Sequence, residues 1–333
     1  MGFRTARIVV VIKKNASSLI SFVLLLVLGL GIYGKVDPVV IMRIGLGMDP
    51  AWGMAAIAAI LPLFAVNALR LSVVIRWLVG GPPPFAQMLR LTFISAFVTI
   101  GAPIGALGDV ARVVVMRVLG GLRSADAIRS VLYDRIIGML GMIAVGVMVL
   151  PLQLFTPLGT AKIVGQALVM GAGTLGLVFV IVTSKAIGRT MWARRSTWLV
   201  HVVDTIGGFE AAMCRPSRLG AQFLIAIANT AVLIATLWAL AHGMQIAIPF
   251  WGLVLFVPVI QIVNNLPIFY MGWGGREAAM LGTIGLIADV PHNQVIALSI
   301  AYGLLAMLVT LPGGMLLALA RWRRKPAAQQ TAA

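Results

Sequence analysis

Acidic residues and cysteines are both scarce in this chain. Nine Asp and Glu stand against 26 Lys and Arg, and Cys214 is the single cysteine in 333 residues. One cysteine excludes an internal disulfide framework and a cysteine-based metal site. The histidines, His201, His242 and His292, are scattered rather than spaced as metal ligands. We therefore expect no metal and no other cofactor, and so few carboxylates leave little from which to build an enzyme active site.

Charged residues of either sign are also few. They make up 11% of the sequence, whereas 61% is hydrophobic and the mean hydropathy is +1.04. Soluble domains carry roughly 25% charged residues, so this composition predicts an all-α polytopic integral membrane protein. A nucleic-acid binder could share the net charge of +17. The basic residues stand mainly beside apolar runs, however, where the positive-inside rule and anionic lipids explain them without a nucleic-acid partner.

Long apolar runs recur along the chain. Six are interpreted as full spans: residues 19–32, 51–78, 128–150, 163–183, 219–241 and 294–320. Basic residues precede the first run and no clear cleavage site follows it, which favours an uncleaved span with a cytoplasmic N-terminus. Residues 185–218 predict a cytoplasmic interfacial helix pair because arginines and tryptophans are mixed there. We expect one transmembrane domain over 1–325 and a disordered tail over 326–333.

Two further apolar segments, 85–108 and 249–287, are interrupted. The first runs into Gly101-Ala-Pro-Ile-Gly-Ala-Leu-Gly-Asp109, and the second contains Asn264-Asn-Leu-Pro-Ile-Phe-Tyr-Met-Gly-Trp-Gly-Gly-Arg-Glu277. Proline removes a backbone donor, and glycine loosens a helix. Broken backbone and ionisable groups persist at membrane depth only inside protein or beside a wet cavity. Both segments are therefore candidate binding sites.

Charge placement predicts how these segments enter the membrane. If residues 85–107 crossed fully, five arginines between 112 and 135 would be external, and so would the basic segment 185–218. If residues 85–107 instead enter the membrane and return to the same side, both basic stretches are cytoplasmic. The basic C-terminal cluster then requires 249–287 to enter and return on the external side. The prediction is about six full spans plus two re-entrant broken helices from opposite faces, with both termini cytoplasmic.

The two broken segments share an order of residues. In each, a proline is followed by glycines and then by charge: Pro103, Gly105, Gly108, Asp109 and Arg112 in one, and Pro267, Gly272, Gly274, Gly275, Arg276 and Glu277 in the other. Inverted repeats with such breaks place a binding site near the bilayer midplane. The match is short, and the general abundance of glycine and proline in membrane helices explains it equally well. The sequence leaves both explanations open.

Eight polar residues are expected to bind a substrate: Asp109, Arg112, Asp134, Arg135, Asn264, Asn265, Arg276 and Glu277. Moving a charged headgroup through a bilayer requires a polar cavity with compensating groups. A helix that begins after Gly274 and Gly275 would offer free amides and a positive dipole end beside an arginine. Phosphate suits that combination.

The spacing of the charges predicts how they pair. Asp109 and Arg112 lie one helical turn apart, whereas Arg276 and Glu277 point about 100° apart and should pair poorly with each other. We therefore expect ion pairs between the two broken segments. Arg70, in the later half of the second span, is expected to extend towards the cytoplasmic side. An alternative is that these charges only lock helices together.

The order of these motifs resembles the transmembrane domain of the lysylphosphatidylglycerol synthase family. The resemblance covers about residues 15–320 and rests on four motifs: Gly108-Asp-x-x-Arg112, Tyr133-Asp-Arg135, Leu266-Pro267 with Gly272-Trp-Gly-Gly-Arg-Glu-Ala278, and Leu311-Pro-Gly-Gly314. It implies a lipid flippase-like module, which in some members is fused to a soluble aminoacyl-transfer domain. We expect a stand-alone member, because this chain has no room for that domain. At Gly275 relatives often carry a branched residue.

The expected function is therefore movement of a phosphate-bearing or other polar-headed lipid across the cytoplasmic membrane. The partners that the resemblance implies are membrane lipids of anionic, polyprenyl-linked or hopanoid type. A different class of function stays open, in which the chain is a non-transporting scaffold for lipid-biosynthesis enzymes, for example of hopanoids or glycolipids. Neutral substitutions in the broken helices separate the two, because a transporter should lose its function and a scaffold should not.

Overall fold

The computed structural model describes residues 36–81, 84–100, 105–155, 215–265, 274–285 and 289–322, together with Gly171, Gly208 and Phe209. These residues form helices and short connections, and no strand occurs among them. Several predictions lie outside the described residues: the spans 19–32 and 163–183, most of the interfacial segment 185–218, and the tail 326–333.

Ten α-helices run through the described ranges. They are α1 (Pro38–Leu46), α2 (Pro50–Ile60), α3 (Pro62–Val79), α4 (Phe85–Ile100), α5 (Gly105–Val118), α6 (Ser124–Val149), α7 (Pro216–Gly243), α8 (Phe250–Asn264), α9 (Gly275–Met280) and α10 (His292–Trp322). A 3-10 turn, Leu150–Phe155, extends α6, and a π-helical turn, Leu281–Gly285, extends α9.

Local sequence explains where several of these helices begin and end. Asp37 accepts a hydrogen bond from the amide of Val39 at 2.8 Å, and Asp49 accepts one from Ala51 at the same distance. A proline follows each aspartate, and its fixed φ suits the first helical position. Gly80 ends α3 with a φ of +82°, a conformation that glycine adopts without a steric cost.

Four helical stretches are long and apolar enough to cross a membrane. They are Pro50–Val79, which joins α2 and α3, Ser124–Leu152, Pro216–Gly243 and His292–Ala320. These stretches agree with four of the six predicted spans. Shorter apolar helices, α4 and α8, lie within the two segments that the sequence marks as broken. The fold is that of a helical membrane protein.

Aromatic and basic side chains mark the two ends of the bundle. At one end Trp52 and Trp238 pack edge to face with ring centroids 5.6 Å apart, and His242 lies beside Trp238 at 4.1 Å. At the other end the guanidinium of Arg218 lies over the ring of Trp77 at 5.1 Å. Helix α7 therefore runs antiparallel to α2 and α3. We name these the His242 end and the Arg218 end.

Helices α4 and α5 form a hairpin that starts at the Arg218 end. Helix α5 runs back alongside α4. A Cβ on Gly108 would lie 2.6 Å from Cγ2 of Thr99, and one on Gly120 would lie 3.2 Å from Cδ1 of Leu91. The returning limb extends to Val118, which is further than the predicted element 85–108. Two charged residues of this limb, Asp109 and Arg112, bond within the bundle, as described below.

Helices α8 and α9 form a second hairpin, which starts at the His242 end. Ile248, just before α8, and Ile284, after α9, belong to the same apolar cluster as Ala56 of α2. The two hairpins thus enter the bundle from opposite ends and return to the ends at which they start. Their depth in a bilayer, and with it the assignment of 249–287 as a re-entrant element, stays a prediction.

The Leu-Pro-Gly-Gly motif brings α10 against α4. A Cβ on Gly313 would overlap the carbonyl oxygen of Phe93, and one on Gly314 would lie 2.7 Å from the ring of Phe97. Real Cβ atoms do not come so close to these neighbours. Glycine at both positions is therefore what allows the two helix backbones to touch.

Candidate functional site

A cavity of about 450 Å³ lies at the centre of the described bundle, bounded by helices α3 to α10. Seven of the eight candidate residues line it; the eighth, Glu277, is buried beside Arg276. Six charged residues face the cavity: Arg70, Asp109, Arg112, Asp134, Arg135 and Arg276. The two hairpins and the long helices thus bring together residues that are far apart in the sequence.

Asp134 on α6 joins two arginines from different helices. Its Oδ1 accepts from Nε of Arg70 at 2.7 Å, and its Oδ2 accepts from Nη2 of Arg70 at 3.1 Å. The same Oδ2 accepts from Nη2 of Arg112 at 3.0 Å. The Asp134 side chain is 1% exposed, whereas those of Arg70 and Arg112 are 17% and 24% exposed. Two guanidiniums therefore share one buried carboxylate and still reach the cavity.

The prediction that Arg70 extends to the cytoplasmic side is wrong. Its guanidinium turns inward because the buried Asp134 lies within bonding distance. Gly138, one turn after Asp134, makes room, since a Cβ there would lie 3.0 Å from Nη1 of Arg70. The charge-assisted bidentate bond offsets part of the hydration that the guanidinium loses.

Asp109 and Arg135 form a second, more open ion pair. The carboxylate accepts from Nε of Arg135 at 2.8 Å, and both side chains are about a quarter exposed. Nη1 of Arg135 also lies 3.5 Å from the carbonyl oxygen of Asn265, at the C-terminal end of α8. Arg135 therefore connects the first hairpin to the tip of the second.

Arg276 and Glu277 form the third charged group. Oε1 of Glu277 accepts from Nη2 of Arg276 at 2.9 Å and from the hydroxyl of Ser299 at 2.6 Å. That hydroxyl in turn accepts from Nε of Arg276 at 2.8 Å. The amide of Gly274 donates to Oε2 of Glu277, which caps α9, and the ring of Tyr302 lies under the guanidinium at 5.4 Å.

Two sequence-based predictions about pairing are wrong. Adjacent Arg276 and Glu277 do bond, because both side chains bend towards Ser299 on α10 and meet there. In the described residues, the carboxylates of the two broken segments pair with other partners than expected. Asp109 pairs with Arg135 and Glu277 pairs with Arg276, so each carboxylate finds its cation near its own hairpin. Helical spacing identifies neighbours on one helix only, so it does not identify the partners on α6 and α10.

The prolines and glycines that interrupt the two broken segments are expected to act as hinges, and four of these seven residues are described. Gly105 begins α5, and Gly108 packs against α4. Gly274 has a φ of +83°, which favours glycine, and Gly275 is the first residue of α9. The remaining three, Pro103, Pro267 and Gly272, lie outside the described residues.

Charge around the cavity is not balanced. Four guanidiniums, those of Arg70, Arg112, Arg135 and Arg276, stand against the three carboxylates of Asp109, Asp134 and Glu277. One formal positive charge is left over among these described residues. The excess belongs to the group around Asp134, where two arginines share a single carboxylate. The cavity therefore favours an anion.

An apolar cavity of about 200 Å³ adjoins the polar one. Both are lined by Asn67, Tyr302 and Thr310, whereas Ile60 and Val309 line the smaller cavity alone. It lies between α3, α4 and α10, beside the C-terminal end of α2. The combined space is thus polar on one side and hydrocarbon-lined on the other, which is the shape of an amphiphile.

Sequence interpretation missed several residues of this cavity. They are Arg70, which was assigned elsewhere, and Asn67, Asn229, Gln261, Ser95 and Tyr302. Their position in the sequence could have identified them, because polar side chains inside apolar spans usually face the interior of a bundle. Asn67 and Arg70 are three residues apart on α3 and so share one face.

No group of three or more His, Cys, Asp or Glu that could hold a metal ion occurs among the described residues. The chemistry that these residues offer is instead hydrogen bonding and charge. Guanidiniums donate to phosphate or carboxylate oxygens, and amides both donate and accept. The arrangement can bind and desolvate a polar group.

The chain was compared with models of known protein families and with curated proteins. The family model described as the lysylphosphatidylglycerol synthase TM region matches residues 9–314, which is most of the chain. No curated protein matches the chain.

Proposed function

Because the chain belongs to the lysylphosphatidylglycerol synthase transmembrane family, we propose that it moves a phosphate-bearing lipid across the cytoplasmic membrane. The observation that carries this proposal is the junction of the two cavities. An arginine-rich space with an excess positive charge adjoins an apolar space lined by α2, α3, α4 and α10. A headgroup and the start of an acyl chain fit these two environments.

The energetics of lipid movement support this use of the cavity. An unpaired charge in hydrocarbon costs several kcal/mol or more, so a bare phosphate does not cross at a useful rate. Arg112 can offset that cost, since one of its nitrogens bonds Asp134 while the side chain is still 24% exposed. Guanidinium donors match phosphate oxygens in geometry as well as in charge.

The two hairpins support access from both sides. The first reaches the cavity from the Arg218 end and the second from the His242 end, so each covers the site from one face. In broken-helix transporters, alternating access is movement of such elements around a fixed site. We propose that a headgroup enters past one hairpin, binds near Arg112, and leaves past the other. In this account both termini are cytoplasmic.

The test is lipid movement by the purified protein in vesicles. Phosphatidylglycerol with a fluorescent acyl chain is placed in both leaflets, and an impermeant quencher reports how fast inner-leaflet lipid appears outside. Arg112→Gln should slow this rate about tenfold or more, since a hydrogen bond to a charged group contributes about 1.5–3 kcal/mol. Asp134 keeps its two bonds to Arg70 in this variant, so the fold should persist.

Arg117→Gln is the matched control, because Arg117 is on the same helix but is exposed and does not line the cavity. It should move lipid at the wild-type rate. A wild-type rate equal to that of protein-free vesicles would overturn the proposal. The non-transporting scaffold for lipid-biosynthesis enzymes would then be the better hypothesis.

A further inference from the structure

We infer that the cavity contains a subsite for hydroxyl groups, formed by Gln261 and Asn264 of α8, so that the lipid headgroup is a hydroxylated one such as glycerol or a sugar. The inference rests on the proposed function and narrows its substrate class. It comes from polar atoms that the ion pairs do not use. These atoms lie on a different wall of the cavity from Arg112.

Buried polar atoms of this wall have no partner within the protein. Gln261 is 8% exposed and lines the cavity, yet its Nε2 makes no hydrogen bond, and neither does Oδ1 of Asn264. Such atoms are rare, because each costs about 1–3 kcal/mol when it is left without a bond. Ser95, across the cavity on α4, has an unpartnered hydroxyl as well.

The two amides suit one kind of ligand group. Gln261 and Asn264 are three residues apart on one helix, so their side chains are neighbours. Nε2 of Gln261 lacks an acceptor, and Oδ1 of Asn264 lacks a donor. A hydroxyl group both accepts and donates, so a single hydroxyl or a vicinal pair could satisfy both atoms. A quaternary ammonium satisfies neither, and a primary ammonium only donates and meets the excess positive charge of the cavity.

The subsite adjoins the phosphate-binding arginines. The carbonyl oxygen of Asn265, next to Asn264, lies 3.5 Å from Nη1 of Arg135. Elsewhere in the same cavity, Nδ2 of Asn229 donates to Oδ1 of Asn67 at 3.1 Å, and Asn67 shares a face of α3 with Arg70. Amides and guanidiniums therefore line the same cavity. A phosphate at the arginines would have its alcohol substituent beside the amides.

The experiment compares two lipids of equal charge in the vesicle assay. Phosphatidylglycerol carries hydroxyls beyond its phosphate, whereas phosphatidylethanol carries the same single negative charge and no hydroxyl. Wild-type protein should move phosphatidylglycerol about threefold to tenfold faster, the range of one net hydrogen bond. Gln261→Met should bring the ratio of the two rates close to one. Because both rates come from the same preparation, a loss of folded protein does not change their ratio.

Gln222→Met is the matched control. Gln222 is 4% exposed and both of its amide atoms lack partners, but it does not line the cavity. Its substitution should leave the ratio at the wild-type value. Gln261→Met should also unfold at the same temperature as wild type or higher, since the variant removes an unpaired buried amide.

Three results would overturn the inference, and they can be told apart. If wild type moves both lipids equally fast, the transport function stands and the hydroxyl subsite does not exist. If Gln261→Met keeps the wild-type ratio, hydroxyls are recognised elsewhere. If wild type moves neither lipid above the rate of empty vesicles, the proposed function fails and the subsite fails with it.

Discussion

Asp134 is the carboxylate on which the charged residues of the cavity converge. It accepts three hydrogen bonds from Arg70 and Arg112, and its side chain is 1% exposed. A buried charge of this kind is stable only while it is paired, because its hydration has been lost. The ions stabilise each other and hold α3, α5 and α6 in register around the site.

Substitution of Asp134→Asn should therefore destabilise the fold. It leaves two guanidiniums facing each other without a counter-ion, and removal of one partner from a buried pair costs about 3–5 kcal/mol. The measurement is the free energy of unfolding from a denaturant titration in detergent micelles. Asp126→Asn, in the first turn of the same helix, is the control, and it should cost at most about 1 kcal/mol through the helix dipole. Equal losses at the two positions would refute this role of Asp134.

For single residues, the sequence predicted which side chains line the cavity better than it predicted their contacts. Charged residues inside apolar segments are rare enough to be conspicuous, so Asp109, Arg112 and Arg276 could be selected from the sequence. Their partners could not be selected in the same way, because helical periodicity identifies neighbours on one helix only. Arg70 bonds to a residue 64 positions away, and Ser299 to one 22 positions away.

Gly313 and Gly314 determine how closely two helices pack. Without side chains at these positions, the backbone of α10 contacts Phe93 and Phe97 of α4. Both helices also line the polar and the apolar cavity. The Leu-Pro-Gly-Gly motif thus contributes to the shape of the site without bonding to anything in it.

Gly313→Ala should push α10 away from α4. Overpacking of this kind costs about 1–3 kcal/mol, and the obstacle here is backbone, which cannot rotate away as a side chain can. The denaturant titration should report the loss. Gly220→Ala is the matched control, because a Cβ there meets nothing within 4 Å. It should instead stabilise by about 0.5–1 kcal/mol, since alanine favours helix more than glycine does. A stabilising Gly313→Ala would contradict the described packing.

The sequence predicted the helices that hydropathy alone can identify. The four long apolar helices coincide with predicted spans because length and composition alone decide whether a helix can cross a bilayer. The returning limb of the first hairpin was placed too short. Its two arginines, Arg112 and Arg117, were counted with the basic stretch predicted to be cytoplasmic, whereas Arg112 and Asp109 bond to α6 inside the bundle.

For the whole molecule, the central prediction is which end of the bundle faces the cytoplasm. The Arg218 end should be cytoplasmic and the His242 end external, as the positive-inside rule requires. Arg117→Cys and Ala247→Cys, made singly with Cys214→Ser, place exposed thiols at opposite ends. An impermeant maleimide added to intact cells should label only position 247. Gly243 is unsuitable for this purpose, since a Cβ there would lie 2.8 Å from Cβ of Trp52. Labelling at 117 would reverse the assignment.

The ion pairs described here divide between the two hairpins. Asp109 and Arg112 tie the first hairpin to α6, whereas Glu277 ties the second to α10 through Ser299. If each hairpin moves together with the helix to which it is bonded, these bonds stay intact. Among the described residues, the 3.5 Å contact between Nη1 of Arg135 and the carbonyl oxygen of Asn265 is then a bond between the two sides that must break. Separating an ion pair in a poorly hydrated interior would add several kcal/mol to an activation barrier. Because no ion pair has to separate in such a movement, charge separation adds nothing to its activation barrier. The rate of hairpin movement then depends on packing.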